Sequence, residues 1–147
     1  MSDQANQEHP ARRAGLLSQK AVSRGDREGW LALFAEQATI EDPVGVSPFD
    51  PTGKGQVGKA AIEAFYDNVI SKAKVSFDYP RSYAAGDECA FVGTVYVEIP
   101  GMPEQGSEGV FVYRVNEQGL LLSLRAFWEI ERPQWVGDPQ PPVGRER

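Results

Sequence analysis

The sequence predicts an α+β fold: a cone-shaped, curved, mixed or antiparallel β-sheet wrapped around an apolar pocket, with three N-terminal helices. Two observations carry this. Through the first half of the chain, apolar residues recur at three- and four-residue steps in "ARRAGLLSQKAVSRGD", "REGWLALFAEQ" and "GKAAIEAFYDNVISKAK", the spacing of one helix face. From residue 74 the period changes. "KVSFDYPRSYAAG", "ECAFVGTVYVEIP", "SEGVFVYRVNE" and "LLLSLRAFWEIER" alternate or run apolar, and turn-forming "AAGDE", "PGMPEQG" and "NEQG" separate them. Short links favour antiparallel neighbours, and helices followed by strands define α+β. Such a sheet curls when helices cover one side. Gly93, in mid-strand, either bends it or leaves room for a ligand.

The elements follow in order. Residues 1–10 are polar and aperiodic and are expected to be a disordered leader. The domain then runs from 11 to 132. In the first helix Ala14, Leu17 and Ala21 share a face, and Gly25 suits its end. Asp26 suits the cap of the second helix, in which Trp30, Leu33, Phe34 and Gln37 fall at helical spacing. "ATIE" reads as a short strand closed by Pro43, and 43–57 as a loop rich in proline and glycine. Ile62, Phe65, Tyr66 and Val69 form the apolar face of the third helix. Residues 133–147 are expected to form a proline-rich tail, part of which Trp135 is placed to pin to the body.

The composition narrows the function. The 147 residues carry 15 basic and 21 acidic side chains, a net charge of −6, with the basic ones scattered. A nucleic-acid surface needs them clustered, so no nucleic-acid partner is expected. One cysteine, Cys89, lies in an apolar run, and one histidine, His9, in the polar leader. A Ser-His-Asp triad or a histidine-rich metal site therefore lacks its parts, and no metal or other cofactor is expected. The first residues do not read as a signal peptide and no apolar run spans a membrane, so a cytoplasmic location is expected. The glycines of "GKGQVGK" lack the Gly-Lys-Ser/Thr ending of a phosphate loop.

Chemistry concentrates in "ATIEDPVG". Side chains alternate along a strand, so Glu41 and Asp42 face opposite sides. Asp42, at the strand end and against apolar walls, is a candidate base aimed into the pocket. A turn aspartate before proline is the plain alternative.

"SRGDREGWLALFAEQATIEDPVG" followed by "GKAAIEAFYDNVI", with "YRVNEQGLLLSLRAFW" late in the chain, resembles the bacterial Δ5-3-ketosteroid isomerases of the nuclear transport factor 2-like (SnoaL-like) superfamily. The resemblance covers residues 14 to 130. It implies a cone-shaped fold, a homodimer joined through the outer sheet face (Tyr96, Glu98), and a hydrophobic, steroid-like ligand. It implies an isomerase that moves a double bond into conjugation with a ketone. Carried over by position, Asp42 falls on the family's general base, Tyr66 on a tyrosine supporting the oxyanion hole, and Trp128 on a pocket aromatic. The family's oxyanion tyrosine falls on Ser18, and its protonated aspartic acid on Phe111. An insertion surrounds "SPFDPTG". Both usual donors are thus replaced, and Tyr66 or Tyr113 is expected to supply the hydrogen bond that a dienolate oxygen requires. The expected ligand lining comprises Ser18, Phe65, Phe91, Gly93, Val95, Phe111, Leu124, Ala126 and Trp128. Two alternatives stand beside this. One is a non-catalytic binder of apolar ligands. The other is a different lyase or hydrolase of the superfamily, with an arginine among its catalytic groups. Arg114 and Arg125 are the inner-strand arginines to consider, and Arg125 alternates away from Leu124, Ala126 and Trp128.

Overall fold

The computed structural model describes residues 9–130 and 140–144. The first helix, α1, spans Pro10–Arg24. His9 caps it by accepting from the Ala11 N–H at 3.2 Å, and Gly25 ends it with a left-handed φ of 71°. The helix thus begins within the expected leader, of which residues 1–8 lie outside the described residues. Helix α2 covers Arg27–Leu31, with the Asp26 carboxylate accepting from the Gly29 N–H at 3.0 Å. Strand β1 follows at Phe34–Glu41, then the two-residue β2 (Gln56–Val57), helix α3 (Lys59–Asn68) and a 3₁₀ turn at Ile70–Lys72. The strands β3 (Lys74–Ala85), β4 (Glu88–Glu98), β5 (Gln105–Val115) and β6 (Leu121–Phe127) complete the domain. Trp135 and most of the expected tail lie outside the described residues.

One element corrects the sequence reading. The helix expected over 27–37 stops at Leu31, and residues 34–37 belong to β1. The cause is an irregularity in the β1–β6 pairing between Phe34 and Thr39. Across it Phe34, Ala35 and Ala38 are all buried, after Trp30 and Leu31. Burial in three- and four-residue steps is the signature of a helix, and here a bulged strand reproduces it.

The six strands form one open mixed sheet in the order β2-β1-β6-β5-β4-β3. Neighbours are antiparallel except β1 and β6, which run parallel. Helix α1 lies across β3, β4 and β5, and α3 packs on β1. The buried core fills the face between them, with Trp30, Phe34, Ile40, Ile62 and Leu121 almost wholly enclosed. The rings of Trp30 and Phe34 meet edge-to-face with centroids 4.7 Å apart.

Gly93 sits at the bend of the sheet. It faces a register shift in β3 between Asp78 and Arg81, and a Cβ there would lie 2.2 Å from the Asp78 carbonyl oxygen. The contact is with backbone, which cannot swing aside. Gly93→Ala is therefore expected to lower stability by about 1–3 kcal/mol, as overpacked substitutions do. A urea midpoint equal to that of the wild type would show that the bulge yields.

Candidate active site

Asp42 and Trp128 sit one residue beyond the ends of the parallel pair β1 and β6, whose register sets Glu41 beside Arg125. Pro43 cannot extend the ladder, but the Val44 N–H donates to the Ala126 carbonyl at 2.9 Å and keeps this end of β1 on β6. Alternation does the rest. Glu41 turns outward and accepts from Arg125 Nε at 2.7 Å. Asp42 turns inward, where the Trp128 indole N–H donates to its Oδ1 at 2.7 Å. Arg114, half-exposed, pairs with Asp87 at 3.0 Å. Both inner-strand arginines thus pair with acids other than Asp42.

Burial pushes the Asp42 carboxyl above the usual aspartate range, and the Trp128 hydrogen bond, which favours the ionised form, pulls partly the other way. Trp128→Phe removes that donor. The Asp42 titration midpoint is expected to move up further, read from its carboxyl ¹³C shift; an unmoved midpoint would contradict the assigned partner.

The sheet register assembles the wall around this carboxylate. Phe91 pairs with Phe111, and Phe111 with Ala126; Cys89 pairs with Tyr113, and Tyr113 with Leu124. Phe111, Tyr113, Leu124 and Ala126 are all buried, with Phe65, Val95 and Trp128 packed at their margin. Phe91 meets Tyr113 edge-on at 5.4 Å. Phe111 stacks face-on against Tyr79 at 4.7 Å, an arrangement the sequence did not point to.

Two phenols accompany the acid. The Tyr113 and Tyr79 hydroxyls are within electrostatic reach of Asp42, and of each other. Burial raises both phenol pKa values, so each stays a neutral O–H donor at physiological pH. The Tyr113 hydroxyl also adjoins the side chains of Ser18 and Gln19 on α1. Ser18 Oγ accepts from the Trp30 indole N–H at 3.0 Å.

Tyr66 does not join this group. Its ring is buried, 5.4 Å from Trp30, but the charges its hydroxyl senses are those of Asp26, Arg27 and Asp67. Tyr79 takes the place in the cluster that the sequence reading offered to Tyr66. The signal for it was faint: "FDYP" alternates Phe77 and Tyr79 onto one face, but the bulge before Arg81 resets the phase for the rest of the strand.

A separate cavity of about 470 Å³ opens between the start of α1 and the β5–β6 turn, lined in part by Pro10, Arg13, Leu17 and Asn116. It excludes Asp42 and both phenols. Among the described residues no helix is long and apolar enough to cross a membrane.

The open six-stranded mixed sheet with its helices places the protein in the nuclear transport factor 2-like fold class. The chain belongs to the SnoaL-like domain family, which it matches over residues 17–124. It is 34% identical over 108 residues to a steroid Δ-isomerase of Nocardioides simplex, covering 74% of this chain and 80% of that protein. It is 35% identical over 133 residues to the epoxide hydrolase LasB of Streptomyces lasalocidi, covering 87% of this chain. The chain spans only 44% of the length of that hydrolase. Among solved structures, the Rv0760c protein of Mycobacterium tuberculosis, in complex with estradiol-17β-hemisuccinate, superimposes with a TM-score of 0.80 at 36% identity, covering 84% of this chain and 97% of that one.

Proposed function

We propose that the protein is a steroid Δ-isomerase-like enzyme, with Asp42 as the proton carrier and Tyr113 as the principal oxyanion donor. The observation that carries this is the inward, half-buried Asp42 carboxylate, held by Trp128 and within electrostatic reach of neutral phenols. The reaction has two proton transfers. Asp42 takes a proton from the carbon between the ketone and the double bond, and the electron pair of that C–H bond moves into a dienolate. The Tyr113 hydroxyl donates to the enolate oxygen as charge gathers there. Asp42 then returns its proton to the far end of the dienolate, leaving the conjugated enone. A raised pKa makes Asp42 a stronger base than a surface aspartate and a competent acid for the return step. The aromatic wall of Phe91, Phe111 and Trp128 suits a flat, apolar skeleton. The 34% identity to a steroid Δ-isomerase supports the same reading. Adding a Δ5-3-ketosteroid and following conjugated-enone absorbance tests it, and absence of turnover together with tight binding would favour the non-catalytic binder.

A second reading has its own support in the 35% identity to an epoxide hydrolase. The same acid and phenols suit epoxide opening, with Asp42 activating a hydroxyl or water and a tyrosine protonating the leaving oxygen. Hydrolysis of an apolar epoxide with no enone formation from the ketosteroid would establish that reading instead.

A further inference from the structure

Helix α1 packs tightly onto Phe91 and Tyr113 at Gly15, where a Cβ would lie 2.5 Å from Phe91 Cε1 and 3.0 Å from Tyr113 Cδ1. Gln19 is one turn further along the same helix face. Its amide adjoins the Tyr113 hydroxyl. Gln19 is only 8% exposed, and its Nε2 has no hydrogen-bond partner among the described residues. Leaving a buried donor unmade is unfavourable, and such groups are rare in native proteins. The adjacent Ser18 hydroxyl is turned instead to the Trp30 indole N–H. An uncommitted amide donor therefore stands beside Tyr113, on the wall within reach of Asp42.

We propose that Gln19 Nε2 is the second donor to the ligand's carbonyl oxygen, acting beside Tyr113 where Ser18 is too short and Phe111 has nothing to give. The inference rests on the isomerase reading of Asp42 and specifies its oxygen-binding wall. A carbonyl oxygen has two lone pairs, and a phenol and an amide N–H together satisfy both. Both donors are fixed before the substrate arrives, so their attraction grows as the oxygen gains charge without reorganisation. The site then selects apolar skeletons that end in a ketone or a phenol over the same skeleton without oxygen.

The test compares the wild type with Gln19→Met, which keeps the length of the side chain and removes the donor, and with Gln19→Leu as a second fill. Removing one oxyanion donor typically costs about 10²–10³ in rate, and Gln19→Met is expected to lose about 10²-fold in kcat with a smaller change in KM. The preference for estradiol over its 3-deoxy counterpart, measured by binding, is expected to fall about tenfold, as expected when a hydrogen-bond donor to the ligand is lost. Unliganded Gln19→Met is expected to melt no lower than the wild type, because the Nε2 donor it removes has no partner there. If both variants keep the wild-type kcat and binding preference while Asp42→Asn loses turnover, the Gln19 assignment is overturned and the isomerase reading stands. If both melt well below the wild type, the amide is engaged without ligand, and the assignment is also overturned. If Asp42→Asn turns over normally, the isomerase reading falls, and an unchanged binding preference would then remove the assignment as well.

Discussion

Asp42→Asn is expected to isomerise a Δ5-3-ketosteroid about 10²–10⁴-fold more slowly than the wild type, the range spanned by loss of a general base. The same variant is expected to melt higher at pH 7. The two effects share one cause. Burial holds the Asp42 pKa above its unfolded value, so the folded protein binds this proton more tightly than the unfolded chain does. That contribution to stability is complete below the unfolded pKa and is lost as pH rises through the folded one. At neutral pH the buried carboxylate is a net cost, which an amide removes while its oxygen still accepts from Trp128. Calorimetry at pH 7 and enone absorbance together read both halves. A variant that loses neither rate nor melts differently would mean that Asp42 is an ordinary turn residue.

Tyr113→Phe is expected to lower kcat by about 10²–10³-fold, the loss typical of one oxyanion donor, with a smaller change in KM. The ring stays against Phe91, so the change is confined to the hydroxyl. Tyr66→Phe is the matched control. Its hydroxyl neighbours Asp26, Arg27 and Asp67, and its removal is expected to change the rate only a few-fold. The reverse pattern, with Tyr66→Phe slow and Tyr113→Phe fast, would reassign the donor. Tyr79→Phe discriminates further, since that phenol shares electrostatic reach of Asp42.

Most of the fold is legible in the sequence because local signals and tertiary packing agree there. The Asp26 cap, the left-handed Gly25 and the four long strands all fall where capping and period-two spacing put them. The reading fails at 32–37, where a bulged strand buries residues in helical steps, and no periodicity count separates the two. The site divides in the same way. Alternation alone sends Asp42 inward and Glu41 outward to Arg125. Which tyrosine lies near the acid depends on ring direction and on the β3 bulge, which are tertiary properties that alternation does not carry. The orphan amide of Gln19 is less legible still, since glutamine late in an amphipathic helix ordinarily faces solvent.

The central claim is that one inward-facing carboxylate, Asp42, carries the proton. The pH dependence of kcat/KM for enone formation tests it most directly, because that quantity reports the ionisation of the free enzyme's base. The account predicts a rise with pH through a single ionisation whose midpoint lies above the usual aspartate range, with the limb absent in Asp42→Asn. A flat profile, a midpoint at the ordinary aspartate value, or the same limb in the variant would contradict it.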